Sequence, residues 1–309
     1  MAYMNKKEHR ISKKYAKRKF SLVGLLLILY VLFTLLIPFF LLMYMKEVNS
    51  SVLKDPILYY GIYFIILLFG TLLPFFMMRK AARIPIKKIS RNFSATFNDL
   101  FVQTIVAFTV CIALTYVSNI LFSYIGLEGK LISSIGLSYD SVNLTHPLYV
   151  FMLIGVTPLL EEYAFRGVLL QTLARYGKSF GLYASAFIFA LAHMNFAEMI
   201  PAFAMGILFG KTALRYKSIR PTIISHMLFN ALIFILYVVP SYIAQYMAYV
   251  LVAIILFAVY LILSGRYERI RIQKLRSHQL TSMVFYSRPT VVIAILLMIL
   301  DSLLFVFFK

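Results

Sequence analysis

Uncharged apolar runs, separated by short stretches rich in Lys and Arg, recur along the whole chain. A helix needs about 20 apolar residues to cross the hydrocarbon core of a bilayer. The pattern predicts spans near 21–45, 57–78, 101–125, 147–172, 181–197, 199–215, 221–239, 242–264 and 290–308. The expected fold is an all-α polytopic membrane protein with about eight to nine transmembrane helices. The fifth and sixth runs are short and meet around NFAEMIP (195–201), which predicts a tight hairpin or a partly re-entrant pair. The first run is too long for a signal-peptide core and is read as a retained helix.

The basic residues orient these spans. With the N-terminus in the cytoplasm, the segments expected inside (1–20, 79–100, 173–180, 211–220 and 265–289) hold 26 Lys and Arg. Those expected outside hold four: Lys46, Lys54, Lys130 and Lys309. That asymmetry follows the positive-inside rule and predicts a multi-pass protein of the cell membrane with its N-terminus inside. The chain divides into a basic cytoplasmic N-terminus (1–20), N-terminal helices (21–140), a core (145–240) and C-terminal helices (241–309). ARIPIKKISRNF (82–93) reads as an ordinary basic loop, with an interfacial helix as the other reading, and 265–289 is similar.

Composition agrees. Of 309 residues, 62% are hydrophobic, against roughly 45–50% in soluble domains, and the mean hydropathy is +0.86. A net charge of +20 would suggest nucleic acid in a soluble protein. Here the cations are divided among loops between apolar runs, so no nucleic-acid partner is expected and the bilayer itself is the partner. The one cysteine, Cys111, allows no internal disulfide and no cysteine metal site. It is read as packing.

Charge inside the spans is sparse and clustered. LLEEYAFRGV (159–168) places Glu161, Glu162 and Arg166 in the fourth run. His193 lies in the fifth, His226 and Asn230 in the seventh, and Asp301 alone in the last. A charge at mid-membrane costs about 2.5–3.5 kcal/mol on insertion scales, and such residues face a protein interior or a wet cavity. Glu162 and Arg166 are spaced i, i+4 with the acid first, the favourable order for a helical ion pair. Glu161 is then left without a local partner and is the candidate base. His193 alone reads first as a helix-to-helix hydrogen bonder. His226 and Asn230 share a helix face, and two aimed donors can stabilise an oxyanion. The kit suits attack of water on a peptide carbonyl. Zinc held by Glu161, His193 and His226 is the minority reading, since no H-E-x-x-H spacing occurs; no cofactor is expected. Ser225 and His226 are adjacent, hence about 100° apart on a helix, which disfavours a serine mechanism. Asn195 and Glu198 are read as lining a turn, Tyr163, Phe165 and Phe189 as wall residues, and Gly206/Gly210 as a G-x-x-x-G close-approach motif.

These residues resemble a known family. EEYAFRG (161–167) is similar to the E-E-x-x-x-R motif of the CPBP family, the CAAX-protease and bacteriocin-processing (Abi) intramembrane proteases. FALAH (189–193) matches its F-x-x-x-H motif and HMLFN (226–230) its H-x-x-x-N motif. The resemblance covers roughly residues 145–240. It implies a catalytic helical core with its site inside the bilayer and a glutamate-dependent endopeptidase, with a membrane-associated peptide or protein as substrate. Glu161 would activate water, assisted by His193; His226 and Asn230 would form the oxyanion site; Glu162 and Arg166 would support it. The alternative is a non-catalytic bacteriocin-immunity or membrane regulatory scaffold. A proton-coupled transporter would carry inverted repeats, and none is visible. Depth along the helices poses a difficulty. Glu161 lies about 12 residues, roughly 18 Å, from the cytoplasmic end of its span, and His226 only about five residues, roughly 8 Å.

Overall fold

The structure, a computed structural model, describes residues 6–48, 55–90, 96–124, 146–193, 195–238, 240–265 and 278–307. Every regular element among them is helical. Helix α1 (Lys6–Val31) passes through a π-helical turn (Leu32–Leu36) into α2 (Ile37–Val48). Helix α3 (Pro56–Ala81), the one-turn α4 (Ile86–Ile89) and α5 (Phe97–Tyr124) follow. A composite helix α6 runs over Pro147–Tyr176. Then come α7 (Lys178–Leu191), α8 (Phe196–Tyr216), α9 (Arg220–Val238), α10 (Ser241–Leu263), α11 (His278–Tyr286) and α12 (Pro289–Phe307).

The chain is an all-α membrane protein. Among the described residues, four stretches are long and apolar enough to cross a bilayer: Ile57–Ala81, Phe97–Tyr124, Pro147–Tyr176 and Phe196–Tyr216. Four shorter apolar helices accompany them. Outward positions are apolar, as Phe69, Ile120 and Leu263 illustrate, which suits helices whose outer surroundings are hydrocarbon rather than water.

One expected boundary moves, and one helix runs beyond its apolar segment. The helix that carries the first apolar run extends ahead of it to Lys6, because the basic stretch consists largely of good helix formers with no Gly or Pro before Gly24. The fifth ends at Leu191 rather than near 197. Asn195 ends it by capping α8: its Oδ1 accepts from Ala197 N–H at 3.1 Å, and its Nδ2 donates to Glu198 at 3.1 Å. His193 therefore sits in the turn between α7 and α8, not within a helix. Of the two basic segments, 91–95 and 266–277 lie outside the described residues, as do Lys54, Lys130 and Lys309.

Glycines set the closest helix contacts. A Cβ on Gly206 would come 2.8 Å from Ala186 Cβ, and one on Gly210 2.5 Å from Leu182 Cδ1, so the G-x-x-x-G face of α8 lies directly on α7. A Cβ on Gly24 would meet the backbone of α12 at 2.5 Å, and Thr290 Oγ1 donates to Ser21 O at 2.8 Å across the same contact. Helix α12 thus packs on α1, which explains why Asp301 is buried instead of facing lipid.

The basic segments expected on one side meet at one end of the bundle. Lys19 Nζ donates to Ala81 O at 3.0 Å, Arg79 to Ile84 O at 3.2 Å, and Arg220 Nε to Ser90 Oγ at 3.2 Å. Arg175 also donates to Ala82 O. Cations on the free carbonyls of a helix C-terminus satisfy acceptors that the helix leaves open.

The depth difficulty disappears in the packing. Ile219 N–H donates to Ile89 O at 3.0 Å. A Cβ on Gly167 would lie 2.8 Å from Ile89 Cγ2 and 3.5 Å from Ile219 Cδ1. Helix α9 therefore starts level with Gly167, about 9 Å short of Leu173 by the helical rise. That stagger closes the offset between Glu161 and His226.

Candidate active site

Helix α6 is not a plain α-helix where the acidic residues lie. Residues Met152–Val156 and Glu162–Leu169 form π-helical turns, with Thr157–Glu161 between them. Thr157 N–H bonds Met152 O, five residues back, immediately before Pro158. A proline ring crowds the carbonyl four residues earlier, and a widened turn relieves that clash. The same arrangement stands in the first helix, where Ile37 N–H bonds Leu32 O just before Pro38. In the second wide turn, Leu170 N–H reaches back to Phe165 O. Successive residues of a π-helix turn through a smaller angle than the 100° of an α-helix, which helps two neighbouring glutamates approach one partner.

That partner is His226. Its Nδ1 lies 3.0 Å from Glu162 Oε1, and its Nε2 lies 3.8 Å from Glu161 Oε2. Glu162 is fully buried, and Arg166 Nη1 stands 3.0 Å from the same Oε1. The guanidinium lies 3.9 Å from the Phe189 ring centroid and 5.7 Å from that of Phe209. The buried cation is thus met by one carboxylate and two ring faces. Glu161 differs from Glu162: its side chain is 23% exposed. Of the two acids, one is sealed into a structural cluster and the other is partly exposed.

His193 comes to the site from the α7–α8 turn. Its Nδ1 is 2.8 Å from Phe189 O. A carbonyl can only accept, so Nδ1 carries the proton and Nε2 is the acceptor of the neutral ring. The imidazole packs edge-on against Phe189 at 4.6 Å between centroids. Glu161 lies within electrostatic reach of His193, although no direct bond joins them. Asn230, one turn beyond His226 on α9, donates from Nδ2 to Leu153 O at 2.8 Å. One of its two amide hydrogens is thereby committed to the backbone of α6.

The remaining candidates fall away from this cluster. Ser225 Oγ is buried without a hydrogen-bond partner and does not engage His226. Cys111 Sγ packs 3.6 Å from Pro201 O. Among the described residues, no three His, Cys, Asp or Glu side chains are grouped so as to hold a metal ion. Two residues near the site carry no motif in the sequence. Tyr30 of α1 and Tyr63 of α3 both lie within electrostatic reach of Glu161, and the Tyr30 ring is edge-on to Phe165 at 5.9 Å. They are two tyrosines among 22, and only tertiary packing singles them out.

Residues 143–232 match the family described as type II CAAX prenyl endopeptidase Rce1-like. The chain is also similar to the membrane-embedded CAAX protease MroQ of Staphylococcus aureus (strain USA300), 35% identical over 96 residues. That alignment covers 29% of this chain and 39% of the relative, so the likeness spans about two fifths of that protein's length. No solved structure matches. The matched segment contains α6 to α9 up to Leu232, and with them every charged residue of the cluster just described. Over this segment the chain is similar to CAAX-protease-like membrane endopeptidases.

Proposed function

We propose that the protein is a glutamate-dependent endopeptidase that cleaves a membrane-associated peptide or protein with an activated water. One observation supports this above the rest. Glu161 is the acid of the cluster that is partly open, and it lies 3.8 Å from an imidazole whose other nitrogen is fixed by a buried carboxylate. Glu161 takes a proton as the water oxygen bonds to the scissile carbonyl carbon, giving a tetrahedral oxyanion. It then returns the proton to the amide nitrogen as the carbon–nitrogen bond breaks. His193 Nε2 accepts from the water and orients it. His226 Nε2, when protonated, and the second amide N–H of Asn230 are the donors available to the oxyanion. Glu162 and Arg166 hold His226 in place.

Residues outside the matched segment also bear on the site, since Tyr30 and Tyr63 lie within electrostatic reach of Glu161. The cations at one end of the bundle fit a cytoplasmic N-terminus under the positive-inside rule. The test uses purified protein in lipid nanodiscs with a pool of quenched fluorescent peptides, half of them carrying a farnesylated cysteine, and mass spectrometry of the products. Cleavage by the native protein and its loss in E161Q are expected. Equal cleavage by E161Q would overturn the glutamate mechanism, and a farnesyl requirement would place the substrate among prenylated chains.

A further inference from the structure

Helix α6 has a backbone acceptor that its own ladder cannot serve. Thr157 N–H is taken by Met152 O. The next backbone nitrogen, which would serve Leu153 O in the five-residue pattern, belongs to Pro158 and carries no hydrogen. An unpartnered carbonyl inside a membrane protein is costly. Asn230 Nδ2 lies 2.8 Å from that oxygen. Because a carbonyl only accepts, this contact also fixes which end of the amide faces α6.

We propose that Asn230 is a positioning residue: its amide replaces the N–H that Pro158 lacks and locks α9 onto the widened turn of α6. His226 is four residues earlier on the same face of α9. Helix α9 therefore docks on α6 at two polar points, Asn230 on Leu153 and His226 on Glu162. With both in place, α9 can neither slide nor rotate, and His226 Nε2 is held beside Glu161. Pro158 and Asn230 then form one device. The proline opens the turn at Met152–Val156, and the asparagine satisfies the acceptor that the opening creates. This rests on the peptidase reading only in giving His226 its place in the reaction.

The test is a double-mutant cycle in melting temperature on the full-length protein in nanodiscs. N230A is expected to lower the midpoint by about 3 °C. In the P158A background, where residue 158 again has an N–H, the same change is expected to cost less than about 1 °C. Equal losses in both backgrounds would overturn the proposal. Should P158A fail to fold, N230L decides, because it keeps the volume and removes the amide; an unchanged midpoint would sink the idea. Nuclear magnetic resonance of the His226 Nδ1 proton reads positioning itself. The signal should shift upfield in N230L as the bond to Glu162 loosens, and an unmoved signal would leave Asn230 no positioning role. Neither measurement needs turnover, so failure here is distinct from failure of the peptidase reading.

Discussion

His226 meets Glu162 through Nδ1 at 3.0 Å, which leaves its Nε2 directed at Glu161, 3.8 Å away. The buried acid sets the orientation of the ring, and the partly exposed acid lies beside the other nitrogen. This division of labour gives the two adjacent glutamates different consequences on substitution. E161Q removes the base but breaks no short contact, so the midpoint of unfolding should stay within about 2 °C of native, the shift of a substitution worth under 1 kcal/mol. Cleavage should fall by about 10²–10⁴, the range of a lost general base. Parallel melting and peptide-cleavage assays on one preparation check both halves. A protein that unfolds on this change would place Glu161 in the structural cluster instead.

For E162Q, both properties should fall together. The amide keeps an oxygen for His226 but leaves Arg166 buried without its carboxylate. Removing one partner of a buried ion pair costs about 3–5 kcal/mol. R166M should be destabilised to a similar degree, whereas the double variant E162Q/R166M should recover much of the loss, since no unpaired charge remains. Chemical or thermal denaturation of the three variants measures this. The double variant should still cleave poorly, because Gln does not hold the imidazole as a carboxylate does.

How much of this was readable in the sequence depends on the range of each interaction. The Glu162–Arg166 pair is local, and its i, i+4 spacing alone places the two side chains together. His226 and Asn230 on one face of α9 are legible for the same reason. The contact between His226 and Glu162 is not, because it depends on how far α9 is staggered along α6. That stagger is set by Ile219 seating against Gly167 and Ile89, a packing event with no periodic signature. The wide turns of α6 were hidden too; Pro158 marks where the ladder must break but not whether it kinks or widens. The end of α7 was missed because Asn195 is a cap whose effect on the preceding apolar run depends on the hairpin closing.

His193 reaches the site from that hairpin turn, and its Nδ1 proton is committed to Phe189 O. H193F should keep a ring packed against Phe189 but removes both nitrogens, so it should lose about 1 kcal/mol with the bond to Phe189 O as well as Nε2. A drop in cleavage of about 10²-fold is expected for a lost water-orienting acceptor. H193Q, whose side-chain oxygen can accept in place of Nε2, should recover part of it. If H193F cleaved like the native protein, the water would be oriented by other groups.

The position of His193 depends in turn on Gly206 of α8. A side chain on Gly206 would put its Cβ 2.9 Å from Ala186 Cα and 2.8 Å from Ala186 Cβ. Neither of those atoms can move without shifting α7 as a whole. G206V should therefore push the two helices apart, at a cost of about 1–3 kcal/mol for overpacking, and carry His193 away from Glu161. Gly210 makes a control, because its nearest atom is the tip of Leu182, the end of a flexible side chain. G210A should be tolerated with under about 1 kcal/mol of loss and near-native cleavage. The contrast between G206V and G210A, read in melting and cleavage together, tests whether the α7–α8 contact delivers the histidine. If both glycine variants retain full cleavage, the position of His193 does not depend on the closeness of these helices.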